Sequence, residues 1–327
     1  MQYRTLAGTH TSFEVSTLCL GTMFMGTRTD EETSFAILDR FVEAGGTFLD
    51  TANNYNAWVG GHGRDSEDVL GRWLAARGNR DELRIATKLG AAKKDPALPL
   101  STTPPTNYQG LAASTIDREA RESLRHLGVD HIDLLYGHVD DRETPLEETV
   151  GAFGKLVEEG MVGIPGISNV ALWRLVEARE TAARLGVAPY GAVQQCYSYV
   201  YPRPQPIRTN WATPELLDYA GSTGTDGRPG LAVMAYSPLH QGVFVRDDKP
   251  YYDGSDHAGS RERVAVLRAV AAEIGATPNQ VALAWLLGGE VPVIPVFGAS
   301  SVAQLDEALA AVDLVLDDET RARLDAA

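Results

Sequence analysis

The sequence predicts a (β/α)8 TIM barrel entered through an N-terminal β-hairpin, with an extra helix before the last strand. Two observations carry this. Short apolar runs alternate with amphipathic helical stretches eight times along 327 residues, the length of one large barrel. The runs are near-continuously apolar, as strands of a parallel sheet covered by helices must be. In such a barrel chemistry belongs at the carboxyl ends of the strands, and three consecutive runs end there in ionisable side chains.

The elements follow in order. Tyr3 to Leu6, a turn at Ala7-Gly8-Thr9-His10 and Phe13 to Val15 read as a hairpin able to plug one barrel end. Leu18 to Met23 is the first barrel strand. A helix from Asp30 to Ala44 starts on an Asp cap with Glu31 and Glu32 in its first turn and stops at Gly45-Gly46. Strands are then expected at 48–52, 83–88, 132–138, 162–167, 190–197, 231–236 and 291–296, separated by helices at 65–77, 115–127, 146–159, 171–185 and 214–221, with another at 301–311. Thr277-Pro278-Asn279 reads as the cap and first turn of the extra helix, Gln280 to Leu287. Residues 91–113 and 239–258 are too long for ordinary connections and are expected to be loops over the site. The chain closes on a helical-looking Asp317 to Leu324 without a long tail, so an open mouth is expected. No linker divides residues 1–327, and one barrel domain is expected.

The composition, 44% hydrophobic and 22% charged, is that of a globular chain. A net charge of −15 argues against nucleic-acid binding, which depends on clustered cations. The start lacks a basic segment followed by an apolar one, and no uncharged run is long enough to span a bilayer, so a cytoplasmic location without membrane contact is expected. Cys19 and Cys196 lie inside apolar runs, where buried free thiols are the usual case, and no metal site is expected. Nothing in the sequence bears on oligomeric state.

The run Phe48-Leu49-Asp50 ends in a carboxylate, with the phenol of Tyr55 five residues on. Leu83 to Lys88 ends in an ammonium, and Ile132 to His138 in an imidazole. Neighbouring strand ends lie about 4.8 Å apart, so these groups can share one site. A phenol releases its proton near pH ~10 in water, and a cation is expected to lower that value. Tyr55 would then be a general acid, Lys88 the cation beside it, Asp50 the counter-charge and His138 a group that orients a carbonyl oxygen. Reduction at such a site needs a hydride from a nicotinamide.

Leu20-Gly21-Thr22-Met23, Asp50-Thr51-Ala52-Asn53-Asn54-Tyr55, Ala86-Thr87-Lys88, Ile132-Asp133-Leu134-Leu135-Tyr136-Gly137-His138, Gly166-Ile167-Ser168-Asn169, Ala235-Tyr236-Ser237-Pro238-Leu239 and Gly298-Ala299-Ser300-Ser301 together resemble the aldo-keto reductase family, in the family's order and across nearly the whole chain. The resemblance implies an NAD(P)H-dependent reductase of aldehydes or ketones with Asp50, Tyr55, Lys88 and His138 as its catalytic tetrad. It implies further that Gly21, Thr22, Met23 and Asp50 border the cofactor and that Ser168, Asn169 and Gln194 bond the nicotinamide amide. Tyr236 would stack on the ring, while Ser237, Pro238, Leu239, Gly242 and the segment from Gly298 through Ser300, Gln304 and Glu307 to Ala308 would hold the pyrophosphate and adenosine. The chain departs from the family at Ala308, where Asn is usual, at Gln304, where Arg or Lys is frequent, and at Gly163 and Phe297. Residues 291–320 contain no Lys or Arg, so a 2′-phosphate would rely on Ser300, Gln304 and Arg246. NADP(H) is the expected cofactor, with NAD(H) possible.

Each residue has a plainer reading by itself. Asp50 could be a turn cap, Lys88 a solvated loop lysine, His138 a core histidine, and Tyr236 and Gln194 core residues with satisfied hydrogen bonds. Those readings do not explain why the ionisable groups end consecutive strands. Trp58, Tyr197 and Trp211 could line a substrate pocket or be loop packing. Two other functions compete: a Schiff-base lyase with Lys88 as nucleophile, which needs a neutral lysine, and a cofactor-binding regulatory module of the same fold.

Overall fold

The computed structural model describes residues 1–95, 97–98, 107–203, 210–224, 230–251 and 254–327. Strands β1 (Tyr3–Ala7) and β2 (Ser12–Ser16) form the antiparallel hairpin. Eight strands then close a parallel barrel: β3 (Cys19–Gly21), β4 (Phe48–Asp50), β5 (Arg84–Leu89), β6 (Ile132–Gly137), β7 (Val162–Ser168), β8 (Ala192–Cys196), β9 (Ala232–Tyr236) and β10 (Val293–Phe297), with β10 pairing back onto β3. The described helices are α1 (Glu31–Glu43), α2 (Asp65–Arg77), α3 (Ala113–Leu127), α4 (Leu146–Glu158), α5 (Leu172–Leu185), α6 (Pro214–Ser222), α7 (Ala258–Ile274), α8 (Pro278–Leu287), α9 (Val302–Leu309) and α10 (Asp318–Asp325).

Two helix starts obey the cap chemistry read in the sequence. The Asp30 carboxylate accepts the Thr33 amide at 2.8 Å at the start of α1. Thr277 and Gln280 form a reciprocal capping box with Pro278 in the first turn of α8. One element departs from expectation. The sequence assigned no helix to 258–274, yet α7 occupies it with 17 residues, burying Val264, Leu267, Val270 and Ala271. Two helices therefore separate β9 from β10. Of the two expected long loops, residues 96, 99–106 and 252–253 lie outside the described residues.

Period two along the strands sorts the barrel interior from its wall. Phe48, Ala86, Tyr136, Ala192 and Met234 form the last buried inward layer, with Leu134 one step below Tyr136, and Leu6 and Val15 of the hairpin close the amino-terminal end. Ser16 ties the hairpin to Thr47, just ahead of β4, with its amide 2.9 Å from the Thr47 hydroxyl. The outward residues pack under the helices in two further clusters. Two residues beyond the inward layer, at the carboxyl end, come Asp50, Lys88, His138, Gln194 and Tyr236. The same alternation that builds the core thus points these side chains at one mouth.

Backbone strain marks that end too. Among the described residues the five non-glycines with positive φ are Asn56, Asn169, Ser237, His240 and Gln241, and all follow the carboxyl ends of β4, β7 or β9. Such conformations cost about 1–3 kcal/mol each and concentrate where the surroundings impose them for function. No described helix is long and apolar enough to cross a membrane.

Candidate active site

The registers pair Gly21 with Asp50, Asp50 with Ala86 and Lys88 with Tyr136, so the carboxyl ends of β3 to β6 are neighbours around one mouth. Lys88, fully buried, points its ammonium into the space between them. Nζ donates to Asp50 Oδ1, to the Thr51 carbonyl at 2.8 Å and to the Tyr55 hydroxyl at 2.8 Å. The His138 ring meets the Tyr55 ring edge-on, centroids 6.0 Å apart. The four residues expected to act together do come together.

Their electrostatics differ in one respect from expectation. Burial raises the Tyr55 pKa, the Lys88 charge opposes this, and the balance leaves the phenol above its ordinary value rather than below it. The sequence identified the cation but not the extent of desolvation. Burial alone would pull the Lys88 ammonium down, but Asp50 and Tyr55 outweigh it and the pKa is raised. Burial, with Lys88 adding repulsion, lowers His138 to about 3, so its imidazole is neutral at ordinary pH. The site therefore holds a charged lysine, a protonated phenol and a neutral histidine.

Around this core lie the side chains expected to hold a cofactor. Gln194 Nε2 donates to Asp50 Oδ2 at 2.8 Å, so this amide supports the carboxylate that supports Lys88. Ser168 donates to the Gln194 carbonyl at 2.7 Å. Asn169 donates to the His138 carbonyl at 2.9 Å and accepts from the Tyr236 hydroxyl at 2.9 Å. A carboxamide placed here would meet donors and acceptors of matching kind and would replace bonds the protein now makes to itself. Thr22 is fully buried, its hydroxyl shared between the Asp50 carbonyl and Ser66, so it could border a ligand only through its backbone. Gly21 is half-buried beside Asp50, and Met23 is exposed.

Farther along the mouth, Ser237 and Gly242 both adopt positive φ in the turn after β9, with Pro238 buried and Leu239 half-buried between them. Gly298 and Ser300 are exposed just before α9, and Ser301 caps that helix by accepting the Gln304 amide. Gln304 Oε1 accepts from both the amide and the hydroxyl of Ser300 at 2.9 Å. Glu307 faces Asn279 and Gln280 of α8. Arg246 is committed to Asp248 through a two-pronged ion pair, 2.9 and 2.6 Å, so an incoming phosphate would compete with that carboxylate. This is a finding about the one cation on which a 2′-phosphate was expected to draw.

Of the three aromatic candidates for a substrate wall, Trp58 stands beside Tyr55, centroids 6.1 Å apart, and is 48% exposed. Tyr197 instead packs against Trp285 of α8, and Trp211 is buried against His240. A surface hollow of about 320 Å3 between α1 and the end of α9 is lined by none of the site residues. No cluster of metal-ligating side chains occurs among the described residues.

A closed (β/α)8 barrel carrying an Asp, Tyr, Lys and His set at the carboxyl ends of β4, β5 and β6 defines the class of protein. The model of the Aldo/keto reductase family matches residues 17–327, and the chain belongs to that family. It is 34% identical to an uncharacterised oxidoreductase, YrpG, of Bacillus subtilis, over 98% of this chain and 93% of that one. It is equally 34% identical to the norsolorinic acid reductase stcV of Emericella nidulans, over 93% of this chain and 76% of that one. Aldo-keto reductase yakc [NADP(+)] of Schizosaccharomyces pombe is 29% identical over 92% of this chain and 84% of that one.

Proposed function

We propose that the chain is an NAD(P)H-dependent reductase of aldehydes and ketones in which Tyr55 delivers the proton. The observation that carries this is the 2.8 Å hydrogen bond from a fully buried, carboxylate-paired Lys88 to the Tyr55 hydroxyl. The cofactor supplies a hydride. Tyr55, kept protonated by burial, gives its proton to the oxygen that becomes an alkoxide, and the adjacent Lys88 charge stabilises the phenolate left behind. Asp50 keeps Lys88 charged and in place, and Gln194 anchors Asp50. The neutral His138 orients the carbonyl oxygen without competing for the proton.

Ser168, Asn169 and Gln194 would hold the nicotinamide amide, Tyr236 its ring, and the turn from Ser237 to Gly242 with the segment from Gly298 to Glu307 the rest of the cofactor. Backbone amides at the Ser301-capped start of α9 suit an anionic group. NADP(H) is the preferred form, in keeping with the name of the fission-yeast relative, and NAD(H) is also accepted because residues 291–320 offer no cation. Several relatives are named norsolorinic acid reductases, so norsolorinic acid belongs among the substrates to test beside bulky ketones and small aldehydes. A lyase that uses Lys88 as nucleophile is disfavoured by its raised pKa, since an ammonium has no lone pair to offer.

The test is Tyr55→Phe, assayed with NADPH and NADH against a panel of carbonyl compounds. Cofactor binding, followed by quenching of protein fluorescence, should be unchanged, and turnover should fall by about 10²–10⁴-fold. Turnover at the parent rate would remove the proposed acid.

A further inference from the structure

A second ionic assembly lies directly behind the tetrad. Glu67, in the first turn of α2, is fully buried, and Glu119, in α3, is 6% exposed. Arg64 bridges them, its Nη1 2.7 Å from Glu67 Oε2 and its Nη2 on Glu119 Oε2, with Ser123 as a further partner at 3.3 Å and Arg118 on the outer oxygen of Glu119 at 3.1 Å. Burying two carboxylates around one guanidinium is expensive, and apolar residues of similar volume would join α2 to α3 at less cost. A further contact made by each carboxylate explains more than helix packing does.

Glu67 Oε1 accepts the hydroxyl of Thr87 at 2.7 Å, and Thr87 is the residue before Lys88 on β5. Because strand side chains alternate, a grip on outward Thr87 also fixes where inward Lys88 points. Glu119 Oε2 accepts the Asn53 side-chain amide at 2.8 Å. Asn53 lies in the turn between Asp50 and Tyr55, and its own backbone amide donates to the Lys88 carbonyl at 3.0 Å. The Thr51 carbonyl of the same turn accepts from Lys88 Nζ. The Thr51 hydroxyl is bonded in turn to Ser66, the residue before Glu67, at 2.8 Å. Each carboxylate thus holds one side of the Lys88 and Tyr55 contact.

We propose that Arg64, Glu67 and Glu119 are positioning residues, a buried ionic clamp that acts through Thr87 and Asn53 to hold Lys88 and the Tyr55 turn at proton-delivery distance. This rests on the reductase function proposed above. Misplacing reacting groups by about 1 Å costs up to ~100-fold in rate, so the clamp acts on kcat rather than on substrate binding.

Asn53→Ala cuts the Glu119 link to the Tyr55 turn while leaving Arg64, Glu67 and Glu119 paired, and so avoids stranding a buried charge. With NADPH and 4-nitrobenzaldehyde, kcat should fall by about tenfold or more while KM and the NADPH dissociation constant stay within about twofold. Amide exchange across residues 51–56 should quicken, with α2 and α3 unchanged. Glu119→Gln, which keeps an acceptor for Asn53, should retain more turnover than Glu119→Ala. Unchanged exchange across 51–56 in Asn53→Ala overturns the clamp whatever the turnover, as does parent kcat in that variant. Tyr55→Phe run in parallel separates the two failures: inactive Tyr55→Phe with fully active Asn53→Ala refutes the clamp alone, whereas active Tyr55→Phe refutes the reductase function and the clamp with it.

Discussion

Replacing Lys88 with Met keeps the length of the side chain and removes its charge, which makes stability and turnover separable. The Lys88 and Asp50 side chains are 1% and 2% exposed, and the ammonium provides the only charge facing that carboxylate within ion-pair distance among the described residues. Without it Asp50 retains Gln194 at 2.8 Å, a neutral donor, and the Thr51 carbonyl and Tyr55 hydroxyl each lose a bond. Removing one partner of such a buried pair costs about 3–5 kcal/mol. Taking about 2.1 cal/mol/K of unfolding entropy per residue, a chain of 327 residues unfolds with roughly 0.7 kcal/mol/K, so Lys88→Met should lower Tm by about 4–7 °C. Adding Asp50→Asn removes the stranded charge and should recover at least about half of that loss. Turnover should behave otherwise: the single variant should lose about 10²–10⁴-fold in kcat, and the double variant should regain none of it. Thermal melts followed by circular dichroism and nicotinamide absorbance read the two quantities. A Tm for Lys88→Met within about 1 °C of the parent, or a double variant less stable than the single one, would refute a buried ion pair as what holds this site together.

Two further outcomes test the groups beside that pair. His138 has a folded-state pKa of about 3 against 6.5 for an ordinary histidine, so the unfolded chain binds a proton that the folded chain refuses. Its contribution to stability is complete above pH 6.5 and is lost as the pH falls toward 3, so the acid limb of a plot of Tm against pH should be steeper in the parent than in His138→Gln; equal limbs would contradict the lowered value. Gln304→Arg puts a guanidinium beside Ser300, where residues 291–320 otherwise hold no cation, and should tighten NADPH relative to NADH by about tenfold in a fluorescence titration, through a charge-assisted hydrogen bond. No change in that ratio would move the 2′-phosphate away from α9.

The clustering of residues at the carboxyl end was legible because it obeys a period. Asp50, Lys88 and His138 each lie two residues past a large or apolar inward residue, and two is the repeat of a strand. Thr277-Pro278 was legible because a cap and a first-turn proline are local signals. Helix α7 escaped although Val264, Leu267, Val270 and Ala271 have helical spacing and Gly275 ends it in a left-handed turn. Its start is capped by His257, a residue with no place among the usual N-cap signals, and the stronger cap at Thr277 drew the helix boundary to itself. Burial of Thr22 and the union of Arg64 with Glu119 were out of reach for a different reason. Residues 55 positions apart along the chain carry no local mark of their pairing. Whether a charge is buried is decided by helix packing that composition does not encode.

The same distinction governs Tyr55. A lysine beside a phenol suggests from sequence that the phenol is made more acidic, and a low pKa would suit a residue that must lose a proton. Burial reverses the balance in the resting site, and under the reductase function proposed above that reversal suits the reductive direction. An acid is useful only while it holds its proton, and burial helps this phenol keep its proton in the resting site. On that proposal what must be lowered is the energy of the phenolate at the moment it forms, which would depend on Lys88 being charged and already within 2.8 Å. Asp50, anchored by Gln194, maintains that charge, and the proposed clamp of Glu67 and Glu119 holds the turn and strand that carry the pair. Weakening that support without touching Tyr55 should therefore slow proton delivery while leaving the phenol protonated, an effect distinct from losing the acid itself.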